Sequence, residues 1–114
     1  HIANRYLETL APASVAARVR GLLVKAMLAG EVDQDAVARA LNQSPSTLQR
    51  RLRKEGTSYQ TLLDSTRREL ALHYLREGEH SIADVAFMLG FADQSNFTRA
   101  FRRWTGKTPR QYLT

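Results

Sequence analysis

Apolar residues along this chain recur at three- and four-residue intervals, the spacing that gathers them on one face of an α-helix. Val15, Val19, Leu22, Leu23, Ala26 and Met27 make one such face. Ser14 stands where it caps that helix, and Gly30 ends it after about Ala29. A second stripe, Val37, Ala38 and Leu41, opens on Asp33 as N-cap and runs into Asn42, a residue that tolerates the left-handed backbone of a tight turn. The spacing predicts a third helix from about Pro45 to Glu55, with Leu48 and Leu52 inward and Gly56 as its stop. An unbroken helical pattern follows from about Ser58 to Glu77, closed by Gly78, with Leu62, Leu63, Leu70, Ala71, Tyr74 and Leu75 on its buried side. Beyond it Ser81 caps a stripe of Ile82, Val85, Ala86 and Leu89, and Asp84 stands three residues on as a capping-box partner. Gly90 supplies a turn, Asp93 caps again, and Phe97 and Phe101 face the core until Gly106. No segment suggests a strand, so the expected fold class is all-α.

The chain also repeats itself. Val37, Ala38 and Leu41 recur as Val85, Ala86 and Leu89. Ser46, Leu48, Arg50, Leu52, Arg53 and Lys54 recur one residue further out of step as Ser95, Phe97, Arg99, Phe101, Arg102 and Arg103, and Gly56 recurs as Gly106. The two slips fall in a turn and at a helix end, where insertions are tolerated. Each copy is a short helix, a tight turn and a second helix, the helix-turn-helix pattern. An ordinary helix hairpin gives the same pattern in one copy; two copies with matching basic second helices favour the helix-turn-helix. The expected organisation is a linker from a missing N-terminal domain over residues 1–12, a first helix-turn-helix subdomain over 13–57, a long connecting helix over 58–78 and a second subdomain over 79–114. Both subdomains are expected to be homeodomain-like. About twenty helical residues span roughly 30 Å, comparable to the roughly 34 Å between successive major grooves on one face of DNA.

Charge sharpens this picture. The chain carries a formal net charge of +6. No acidic residue lies between Asp35 and Glu55, where Arg50, Arg51, Arg53 and Lys54 cluster. None follows Asp93, where Arg99, Arg102, Arg103, Lys107 and Arg110 lie. Each block is a local positive field suited to phosphates, although a solvated helix face has the same composition. With no Cys, disulfides and cysteine-ligated zinc are excluded, and a reducing cytoplasm is the expected compartment. The apolar runs are too short to span a membrane. His1, His73 and His80 form no metal-binding or base–nucleophile spacing, and no G-x-S-x-G or phosphate-loop motif is present. The expectation is therefore no enzyme, no catalytic residue, no metal and no cofactor. A helical protein-interaction module and a nonspecific DNA coat remain as rivals.

At about 100° per residue, the helical wheel turns Ser46, Arg50 and Lys54 away from Leu48 and Leu52, with Thr47 and Gln49 flanking. In the second copy Ser95, Arg99 and Arg103 oppose Phe97 and Phe101, flanked by Asn96 and Thr98. The N-terminal parts of recognition helices reach base edges, so the expected readers are Ser46, Thr47, Gln49, Arg50, Gln94, Asn96 and Arg99. Arginine forks onto guanine, while glutamine and asparagine suit adenine. Arg51, Arg53, Lys54, Ser95, Arg102, Arg103, Lys107 and Thr108 are expected on phosphates, which position a protein without carrying sequence information. The amides opening the helices at Asp33 and Ser81 are further phosphate candidates. Trp104 and Tyr112 are expected in the core.

The run Ser81-Ile82-Ala83-Asp84-Val85-Ala86, then Leu89-Gly90-Phe91, then Asp93 through Arg103, then Gly106-Lys107-Thr108-Pro109 and Tyr112 resembles the AraC/XylS signature of transcription regulators. The likeness extends back through Arg67 and Ala71 to Asp33, with Asn42 in place of the usual turn glycine. This resemblance implies a bacterial-type regulator, commonly an activator, that binds double-stranded promoter DNA and contacts RNA polymerase. It also implies effector and dimer contacts in a separate N-terminal domain. In such relatives the positions matching Ser46, Gln49, Arg50, Gln94 and Arg99 read bases.

Overall fold

Side-chain oxygens decide where the helices of this protein begin. In the computed structural model, which describes residues 14–29 and 33–114, seven helices are present among the described residues. They are α1 (Val15–Ala29), α2 (Gln34–Ala40), α3 (Pro45–Lys54), α4 (Tyr59–Glu77), α5 (Ile82–Met88), α6 (Gln94–Thr105) and α7 (Pro109–Leu113). No strand occurs among those residues, so the all-α expectation holds. The linker expected over residues 1–12 and the stop expected at Gly30 lie outside the described residues.

Ser14, Asp33, Ser44, Ser81, Asp93 and Thr108 each accept a bond from a first-turn amide of the helix that follows. Each satisfies a donor that the helix itself leaves unpaired. Ser81 and Asp84 complete a reciprocal capping box. A second box joins Thr108 to Gln111 and starts α7, a helix that the apolar pattern did not reveal because it is a single turn long.

The two turns at the heart of the repeat are superimposable in their bonding. In the first, Asn42 N–H donates to Arg39 O at 2.9 Å and Gln43 N–H to Ala38 O at 2.9 Å. In the second, Gly90 N–H donates to Phe87 O at 3.0 Å and Phe91 N–H to Ala86 O at 3.1 Å. Asn42 sits at φ 57° and Gly90 at φ 84°. Asparagine reaches the left-handed region at modest cost, so the substitution leaves this turn as tight as its glycine counterpart.

Contacts divide the chain after Thr66, inside α4. The long helix expected over residues 58–78 is observed as Tyr59–Glu77, and the division groups its first half with the first unit and its second half with the second. In the first unit α1 packs against α2 and α3. The core there includes Val19, Leu23, Val37, Ala38, Leu48, Leu52, Tyr59, Leu62 and Leu63. Leu22 and Ala26 are only half-buried, while Ala17, not expected inside, is buried. Arg20 ties α1 to α4, donating to Ser65 Oγ at 2.7 Å and to the buried Thr66 Oγ1 at 3.2 Å.

In the second unit α6 packs between α5 and α7. Leu70, Ala71, Leu75, Val85, Ala86, Leu89, Phe97 and Phe101 are buried; Tyr74 and Ile82 are only half-buried. Phe101 is the hub, with ring centroids of Phe97, Trp104 and Tyr112 at 5.8, 6.4 and 5.6 Å. Trp104 and Tyr112, expected in the core, are only half-buried and pack at its edge against Phe101, and the Tyr112 hydroxyl also accepts a bond from Arg76 Nε at 3.1 Å.

Truncating a fully buried phenylalanine removes its transfer energy and leaves a cavity. Phe101→Ala is expected to cost about 3 to 5 kcal/mol, read as a large fall in the midpoint of thermal or urea unfolding. An unchanged midpoint contradicts this packing of α6.

Candidate nucleic-acid interface

Each second helix of the repeat is amphipathic in the strict sense that one row is sealed and the opposite row is open. On α3, Leu48 and Leu52 are completely buried, while Ser46, Gln49, Arg50, Arg51, Arg53 and Lys54 are exposed. On α6, Phe97 and Phe101 are completely buried, while Gln94, Ser95, Arg99, Arg102 and Arg103 are exposed. Lys107 is exposed just beyond α6. The helical wheel assigned these faces correctly, and the open rows carry hydrogen-bond donors at their N-terminal ends and cations throughout.

Three expected residues are engaged inside the protein. Thr47 is half-buried: its amide donates to Ser44 Oγ at 3.1 Å, and its hydroxyl accepts from the same Ser44 hydroxyl at 2.9 Å. Thr108 is half-buried as the cap of α7, its Oγ1 accepting from Gln111 N–H at 3.1 Å. Its hydroxyl thus has a structural duty beside any phosphate contact. Asn96 is half-buried; its amide donates to Asp93 Oδ1 at 2.8 Å, and its side-chain Oδ1 accepts a bond from Arg99 Nη2. The amides opening α2 and α5 are partly spent on Asp33 and on Ser81. The carboxylates of Asp33, Asp35 and Asp84 stand at those ends, which makes them poor seats for an anion.

Two supports of the interface were not visible in the pattern. Glu55 follows directly on the first basic block, yet its carboxylate turns away to α1. Its two oxygens accept from Val15 and Ala16 N–H, each at 2.9 Å. With Ser14 holding Ala17 N–H, the first three amides of α1 are all satisfied. Thus the only acid beside Arg51, Arg53 and Lys54 is paired with the positive end of a helix. In the second unit Arg67 donates through Nε to Leu89 O at 2.9 Å and stacks its guanidinium 4.7 Å from the centre of the Phe91 ring. Both contacts clamp the turn that aims α6. Neither support has a sequence signature, because the partners lie 40 and 22 residues away.

Gln49 and Arg53, one helical turn apart on α3, share a shallow cavity of about 330 Å³ with Ser58, Tyr59 and Gln60. Gln34 and Thr57 complete its lining, which thus holds one cation, three carboxamides and three hydroxyl-bearing side chains. Nothing in the two open rows pairs a nucleophile with a base. Their side chains are N–H donors and cations, the groups that can pair with acceptor-rich base edges and with phosphates.

Comparison with known proteins agrees with this geometry. A model of the helix-turn-helix domain family matches residues 37–114. The chain is 46% identical over 95 residues to the ornithine utilization regulator of Pseudomonas aeruginosa. That match takes in 83% of this chain but only 28% of the relative, so the chain spans little more than a quarter of the relative's length. Among solved structures, a DNA-binding transcriptional dual regulator from Escherichia coli K-12 superposes with a TM-score of 0.79 at 34% identity, covering 88% of this chain and 89% of that one. The DNA-binding domain of the global transcriptional factor AdpA, solved in complex with a target DNA, superposes with a TM-score of 0.74 at 26% identity, covering 89% and 91%.

Removing the Glu55 carboxylate leaves two helix amides without their partner. Glu55→Ala is expected to lower stability by about 1 kcal/mol, the usual worth of a helix cap. Urea unfolding measures it. A variant as stable as the parent means that water serves those amides equally well.

Proposed function

This chain belongs to the AraC/XylS-type helix-turn-helix family of transcription regulators, and on that premise we propose that it binds double-stranded promoter DNA sequence-specifically through α3 and α6. The observation that carries the proposal is the repeated open row, basic and donor-rich, behind which a sealed apolar row fixes the orientation of each helix. Ser46, Gln49, Arg50, Gln94 and Arg99 are the proposed base readers, with Thr47 and Asn96 beside them. Arg51, Arg53, Lys54, Ser95, Arg102, Arg103, Lys107 and Thr108 are the proposed phosphate contacts. The domain plan stays as proposed from the sequence, with the linker over residues 1–12 leading from an N-terminal domain that holds effector and dimer contacts. It is refined by the division of α4 between the two units.

The same premise supports a regulator rather than an enzyme, a cytoplasmic location and RNA polymerase as a further partner. No helix among the described residues is long and apolar enough to cross a membrane. The presence of two recognition helices, one in each copy of the repeat, supports the reading that they enter successive major grooves.

A titration with salt tests the proposal. About five to eight phosphate contacts, each contributing about −0.9 to the log–log slope, make affinity fall steeply between low and moderate salt. Arg103→Ala is expected to weaken matched and scrambled duplexes alike and to reduce the slope by about one. Arg99→Ala is expected to weaken the matched duplex selectively, losing about 1 to 3 kcal/mol of discrimination at one or two base pairs. Nearly flat affinity across salt, or uniform losses for both variants, contradicts it.

A further inference from the structure

The two recognition helices differ in how they hold their equivalent arginines. Asn96 and Arg99 are three residues apart on α6, hence neighbours on its surface. The Asp93 cap holds the Asn96 amide, so the base of that side chain is fixed at the first turn. Arg99 Nη2 donates to Asn96 Oδ1. A guanidinium has only donors, so the asparagine atom facing it is the oxygen, and the amide NH2 is left pointing elsewhere. In the first repeat the position of Asn96 is taken by Thr47, whose oxygen accepts from Ser44 instead. Arg50 has no side-chain partner among the described residues.

The consequence is chemical. An asparagine reads adenine by accepting from N6 and donating to N7, and both of its ends must be available. Arg99 holds one of the two lone pairs of Asn96 Oδ1 and fixes where that oxygen faces, so the groups left over on this pair are predominantly donors. Guanine is the base whose major-groove edge offers two acceptors side by side, N7 and O6. We propose that Asn96 is the positioning residue for Arg99, and that together they select a guanine, in place of Asn96 reading an adenine by itself. The inference rests on α6 entering a major groove. A guanidinium already oriented loses less freedom on contact than the unrestrained Arg50. The second recognition helix therefore discriminates its guanine more sharply than the first.

The test is a set of affinities for a site selected from a random duplex pool and for its single-base substitutions. They are measured for the parent chain, Asn96→Ala, Arg99→Ala and the double variant. The expected result is a guanine at the Arg99 position, preferred by about tenfold or more. Asn96→Ala reduces that preference severalfold and has no further effect at that base pair when Arg99 is already Ala. Additive losses, with Asn96→Ala abolishing an adenine preference at a different base pair, overturn the proposal. So does an Asn96→Ala profile identical to the parent's. In both cases the parent still selects a sequence, and the wider functional reading survives. A parent chain that binds every duplex equally overturns both together.

Discussion

Burial of one pair of side chains on each recognition helix is the constraint from which the rest follows. Leu48 with Leu52, and Phe97 with Phe101, lie one turn apart and are wholly withdrawn from solvent. An α-helix with two such residues inward has no rotational freedom left, so the opposite row is fixed in direction without any contact of its own. Arg50 and Arg99 point outward because their helices cannot turn, and their guanidinium groups remain in water. The energy that orients the two open rows comes from the hydrophobic core, and Arg50 and Arg99 are exposed on them.

Around that constraint the polar groups are arranged to keep the open rows positive. The acids nearest to the basic blocks have been given tasks elsewhere. Glu55 closes the start of α1, Asp93 closes the start of α6, and Asp84 completes the cap of α5. Each of these carboxylates sits at a helix N-terminus, where the backbone amides favour a negative charge. Capping and charge segregation are here one device. It keeps those carboxylates occupied and holds the helices that carry the cations of α3 and α6.

Much of this was legible in the chain because the signals are local. Among the described residues the apolar spacing located every helix of more than one turn, and the offset between Val37 and Val85 exposed the repeat. The wheel through Leu48 and Leu52 then separated inner from outer residues. What was hidden depends on partners distant in sequence or on short-range competition for a side chain. Nothing near Glu55 announces that Val15 awaits it, and nothing near Arg67 announces Leu89. Thr47, Asn96 and Thr108 have the right chemistry and the right face for DNA. Whether a cap or a neighbouring arginine takes their oxygens first is decided by rotamers, which the pattern of residue types does not contain. The long helix was found, but its division between two units was not, because periodicity shows which face is buried and not against what.

The most direct measurement is selection of bound sequences from a random pool of double-stranded DNA. Two reading helices on a repeated scaffold should enrich two short conserved blocks. Their centres should lie about ten base pairs apart with tolerant positions between. Enrichment of a single block, or of no block at all, would contradict recognition by two helices.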